Sequence, residues 1–144
     1  MAILSELGFN ISGISLFHHD PVYDNGDYKS DALAQDVSTY GNINNCNICN
    51  KQIYEIVNLL NKIKPDILLA RHREIQIWSA KLGIPSLLIE DEQFGFGYKG
   101  LLRYAARIEE TFENREYIEN LAEHSSLPYT KWWLEHDAYT FLAG

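Results

Sequence analysis

Leu59-Leu-Asn-Lys-Ile-Lys-Pro65 running into Asp66-Ile-Leu-Leu-Ala70 decides the fold class. A helix-like end meets a Lys-Pro stop, and a short, continuous apolar run follows it. The same arrangement occurs twice more. Ile3-Leu-Ser-Glu-Leu-Gly8 leads into Phe9-Asn-Ile-Ser-Gly-Ile-Ser-Leu16, and Trp78-Ser-Ala-Lys-Leu-Gly83 leads into Ile84-Pro-Ser-Leu-Leu-Ile89. Glycine takes the left-handed cap that ends a helix, and proline cannot continue the hydrogen-bond ladder. Apolar runs without alternation suit parallel strands covered on both faces. Helix-then-strand repetition therefore predicts an α/β fold: a doubly wound, mainly parallel sheet flanked by helices, of flavodoxin or Rossmann type.

Working outward, Lys51 to Lys64 carries apolar residues at Ile53, Ile56, Val57, Leu60 and Ile63, one helical stripe. Gly100 to Glu123 reads as one helix or two abutting ones, with Leu101, Tyr104, Ala105, Ile108 and Phe112 on one face. Val37-Ser-Thr-Tyr40 is a short strand candidate. Gly95-Phe-Gly-Tyr-Lys-Gly100 reads as a tight turn; it lacks the spacing and the preceding strand of a dinucleotide fingerprint. The sheet is followed by a helical, aromatic-rich tail, Leu127 to Leu142. Its Trp132 and Trp133, with Tyr129, Tyr139 and Phe141, either fold over the domain or form a subunit interface.

Residues 1–144 fit a single α/β domain, and a domain of this length buries roughly 70% of its unfolded surface. The formal net charge of −8 argues against nucleic acid, whose phosphates are met by Lys and Arg. No apolar run approaches the roughly 20 residues that span a bilayer. The opening residues lack a basic segment and include Glu6, unlike a signal peptide, so a cytoplasmic location is expected. The first helix end has no strand before it, so the chain is expected to start in the middle of a larger fold, as an excised or a naturally truncated domain. Cys46 and Cys49 form one Cys-x-x-Cys, too few thiolates for a closed tetrahedral metal site. They read as a loop pair ahead of a helix, with a redox or metal role as the alternative.

Ligands of open parallel sheets collect beyond the carboxyl ends of the strands. Three segments follow those ends: His18-His19-Asp20, Arg71-His72-Arg73-Glu74 and Glu90-Asp91-Glu92, which together hold three of the five histidines. Arg71 and Arg73 at a helix N-terminus suit an anion, or else remain solvated turn residues. His18, His19 and Asp20 are metal-ligand or acid–base types, though neighbours in an extended loop point in different directions. Glu90 and Asp91 either pair with the arginines or hold a cation. A small metal-dependent hydrolase built on His18, His19, Asp20 and His72 is the weakest reading, because no spacing matches a catalytic metal motif.

Several segments, in order, resemble the C-terminal domain of nitrogenase component 1 subunits, the molybdenum–iron protein and its oxidoreductase relatives. They are Glu6-Leu-Gly-Phe-Asn-Ile-Ser-Gly13, the Asp20 to Asp24 stretch with Tyr23, Ile63-Lys-Pro-Asp-Ile-Leu68, Lys81-Leu-Gly-Ile-Pro85, Tyr98-Lys-Gly100 and Tyr104-Ala-Ala-Arg107. Arg71-His72, Gly97 to Gly100 and Leu127-Pro-Tyr-Thr-x-Trp-Trp133 look more like a nitrogenase-like side branch. The resemblance implies three doubly wound domains per subunit, paired subunits, and multi-electron reduction fed by an ATP-dependent iron–sulfur reductase. Counted from Gly83-Ile-Pro85, the family's cofactor-ligating histidine falls on Glu90, and its lysine near the cofactor's organic acid falls near Glu74.

The resemblance further implies that Arg71, His72, Arg73, Glu90, Asp91, His18 and His19 line a metallocofactor or substrate cleft. An iron–sulfur or related metallocluster would belong to the full-length complex, with none held by the isolated domain and no activity in the isolated chain. No residue is marked as a catalytic acid or base. A reading from another class is a stand-alone flavodoxin-like binding or assembly module for a metal or metallocofactor precursor.

Overall fold

The computed structural model describes residues 2–16, 34–35, 38–39, 46–48, 53–89 and 97–136. They form α1 (Ala2–Glu6), β1 (Ile14–Leu16), β2 (Cys46–Ile48), α2 (Ile53–Ile63), β3 (Leu68–Ala70), α3 (Arg73–Lys81), β4 (Ser86–Leu88), α4 (Gly97–Glu113), α5 (Arg115–Glu123) and α6 (Lys131–Glu135). The fold is mixed α/β. Among the described residues the strands make two separate parallel pairs, β1 with β2 and β3 with β4. No described helix is long and apolar enough to cross a membrane. The chain divides into two compact units, Met1–Leu59 and Leu60–Gly144, with the boundary inside α2.

All three helix–strand junctions foreseen in the sequence are present, and each ends its helix by a definable closure. After α1, Gly8 takes φ 81°. Its N–H donates to the Ser5 carbonyl at 3.0 Å, and the Phe9 N–H donates to the Leu4 carbonyl at 2.9 Å. That pair of bonds is a Schellman motif, which satisfies two of the helix's terminal carbonyls. Leu82-Gly83-Ile84 repeats it after α3: Gly83 has φ 73°, its N–H donates to Ala80, and the Ile84 N–H donates to Ser79, both at 3.0 Å. At the Lys-Pro junction Lys64 itself adopts φ 47°. Its N–H closes onto the Leu60 carbonyl at 2.8 Å, the simpler left-handed cap, and Pro65 follows.

In the first unit β1 and β2 run parallel, with Ile14 opposite Cys46, Ser15 opposite Asn47 and Leu16 opposite Ile48. The strand expected over Phe9 to Leu16 is realised only at its last three residues. Asn10, Ser12 and Gly13 interrupt the apolar run, and Asn and Gly are poorly suited to strands. Cys46 lies in a strand rather than in the expected loop; Cys49 is outside the described residues. The Val37 to Tyr40 strand is also corrected, since Ser38 and Thr39 are helical. Their hydroxyls donate to the Gln35 carbonyl at 2.9 and 2.7 Å, the back-bonding by which Ser and Thr satisfy a helical turn. Val37 and Tyr40 themselves lie outside the described residues.

The stripe on α2 is as foreseen: Ile56, Val57 and Leu60 are buried, and Ile53 and Ile63 are half-buried. In the second unit β3 and β4 pair in parallel, Leu68 to Ser86, Leu69 to Leu87 and Ala70 to Leu88. The pairing is extended at both ends, from the Leu68 N–H to the Pro85 carbonyl at 2.9 Å and from the Ile89 N–H to the Ala70 carbonyl at 2.7 Å. Helix α3 connects the two strands and packs on both, α4 packs on β4, and α5 packs on α3 and α4. Ala70, Ile75, Ile84, Pro85, Leu87 and Ile108 are buried apolar residues of this layer.

The 100–123 segment is two helices meeting at Asn114, which is neither α4 nor α5. Its side-chain amide donates to the Glu110 carbonyl at 3.0 Å. Glycine 83 also marks a close approach. A Cβ there would stand 3.5 Å from the Ala122 Cβ of α5, an ordinary contact, so the cost of Gly83→Ala comes from the positive φ. We expect that variant to lose about 1–2 kcal/mol, read as a lower urea midpoint at unchanged m-value.

The tail folds back on its own unit. Tyr129 packs against Trp78 of α3 in a tilted arrangement, with ring centroids 5.8 Å apart and planes at 37°. Lys81 lies over the same indole, 5.6 Å from its centroid, and its Nζ donates to the Ser126 carbonyl at 2.9 Å. On α6, Trp132 meets Trp133 edge-on at 5.5 Å and stacks on His136 at 4.3 Å. Both indoles are exposed; Tyr139 and Phe141 lie outside the described residues.

Burial of Tyr104 on the inner face of α4 raises its phenol above the ordinary value of 10.0, because desolvation disfavours the phenolate. Above pH 10 the unfolded chain releases this proton while the folded chain keeps it. Tyr104 therefore contributes stability that is full below pH 10 and is lost as pH rises through its folded value. Denaturant melts should show a downward slope with pH in that window, shallower in Tyr104→Phe. An equal slope in both proteins would remove Tyr104 as the cause.

Candidate functional site

The best-described candidate edge lies at the carboxyl ends of β3 and β4. Parallel register carries Ala70 and Leu88 to the same end of the pair, and the Ile89 N–H to Ala70 carbonyl bond ties the exits together. From there Arg71 and His72 form a bend and Arg73 opens α3. His72 is the N-cap residue, extended at φ −117° and ψ 128°, and its side chain makes no capping hydrogen bond. Its carbonyl accepts from the Ile75 N–H at 3.2 Å. An extended residue followed at once by helical ones is what turns a strand into a helix within two positions.

Arg71, His72, Arg73 and Glu74 are all exposed. Two guanidinium groups and an imidazole thus stand at the positive end of a nine-residue helix, where forks, dipole and backbone N–H groups all favour an anion. Glu74 in the first turn complements the same dipole. Helix α3 is fixed on the strand pair behind this edge: Ile75 is buried, and the Gln76 side chain donates to the carbonyl of Ser86, the first residue of β4, at 3.3 Å. Gln76 was not marked by its spacing, because a glutamine on a helix next to exposed positions carries no signature of a strand contact.

The donor chemistry of the described edge is specific. Guanidinium is permanently protonated and ligates no metal cation, which leaves one imidazole. Arg71, His72 and Arg73 therefore fit the anionic portion of a ligand and do not fit direct coordination of a cluster. Among the described residues no group of three or more His, Cys, Asp or Glu side chains is placed to hold a metal ion. His18, His19, Asp20, Glu90, Asp91 and Glu92 lie outside the described residues, so of the foreseen site residues the structure places Arg71, His72 and Arg73.

The Gly95 to Gly100 turn is corrected in its second half. Gly97 to Gly100 is the first turn of α4, entered through Gly97 at φ 69°, while Gly95 and Phe96 lie outside the described residues. Gly100 is buried and Tyr98 is 87% exposed, so this segment starts a helix that packs on β4. Among the described residues Arg115 bridges Glu119 at 2.9 Å and Asp66 at 3.4 Å, and Lys131 bridges Glu135 at 3.6 Å, all of them exposed. The Arg115 pairs join the start of α5 to the approach to β3. The chain matches no protein-family model, no curated protein and no solved structure.

Proposed function

We propose that this chain is a domain of a nitrogenase component 1-like oxidoreductase subunit, completed as a doubly wound, flavodoxin-like sheet. In this reading Arg71, His72 and Arg73 contribute to one wall of a metallocofactor or substrate cleft. The observation that supports it is the common exit edge of β3 and β4, with two arginines and a histidine at the start of α3. Arg71 and Arg73 hold an anionic portion of the ligand, and His72 donates or accepts a hydrogen bond beside it. A metallocluster bound in the full-length complex would supply multi-electron transfer. The partners are a paired component 1 subunit and an ATP-dependent iron–sulfur reductase.

The test is anaerobic co-purification of the protein as its gene encodes it, read by iron and acid-labile sulfide content and by visible absorbance. A cluster-bearing complex whose cluster occupancy falls roughly tenfold or more in Arg71→Ala/Arg73→Ala supports the cleft assignment, the scale of loss seen when groups surrounding a metal site are removed. Occupancy unchanged in that variant overturns the assignment of these arginines. A protein with neither cluster nor reductase partner overturns the subunit reading and favours a stand-alone binding or assembly module.

A further inference from the structure

We draw no further inference here: the strongest candidate, the exposed aromatic cluster of Trp132 and Trp133 with His136 on α6, carries nothing because nothing in the structure shows what covers it.

Discussion

Ile108→Ala is expected to lower the unfolding free energy by about 2–5 kcal/mol, the range for deleting a buried branched aliphatic side chain. Ile108 is only 2% exposed. It lies on α4, the helix that packs against β4 and α5. Removing three carbons there forfeits transfer free energy and leaves a void that the surrounding helices and strand fill only in part. A small domain is stable by only about 5–15 kcal/mol, so the loss is a large fraction of the whole. Urea melts give the measurement, with m unchanged if only the native state is affected. Leu102→Ala on the same helix is the control: Leu102 is 69% exposed, and its loss should stay within about 0.5 kcal/mol. Equal effects of the two substitutions would mean that α4 is not seated as described.

Ser79→Ala should cost about 1–3 kcal/mol, which is large for one oxygen atom. Ser79 is fully buried. Its hydroxyl donates to the Ile84 carbonyl at 2.7 Å, while the Ile84 N–H donates back to the Ser79 carbonyl at 3.0 Å. The two residues thus clasp the end of α3 to the start of the approach to β4. Alanine keeps the backbone half of the clasp and strands the Ile84 carbonyl in a dry place, where the desolvation penalty is no longer offset. Faster hydrogen exchange at the Ile84 amide, beyond that expected from the global loss, would localise the effect. A change under about 0.5 kcal/mol would show that water reaches the carbonyl.

How much of this was legible in the sequence follows from the range of the interactions. Leu7-Gly8, Leu82-Gly83 and Lys64-Pro65 were readable because a helix stop is closed by bonds spanning a few residues, and those residues carry their own signature. Strands β3 and β4 were readable from Ile67 to Ala70 and Leu87 to Ile89, where apolar side chains run without a break. Strand β2 was not. Cys46-Asn-Ile48 has an amide at its centre and asparagines around it, and it becomes a strand by pairing with the remote β1. The Ser38-Thr39 turn was misread for the opposite reason, since a β-branched residue suggests a strand while its hydroxyl can bond back along a helix. The position of Arg71 to Arg73 between a strand exit and a helix start was readable from the helix–strand pattern alone. Gln76 was not, because its contact with β4 depends on how α3 lies across the sheet.

The two parallel pairs also differ in how far along the chain their partners stand. Leu68 finds Ser86, whereas Ile14 must find Cys46, nearly twice as distant in sequence. Loop-closure entropy alone makes the nearer encounter cheaper by roughly 0.5 kcal/mol. That segment also contains its own helix, a left-handed glycine stop and the Ser79 clasp, all of them local in sequence. Low contact order speeds folding, so of the two described strand pairs β3–α3–β4 is the one equipped to assemble first, and Arg71, His72 and Arg73 are in place as soon as it does.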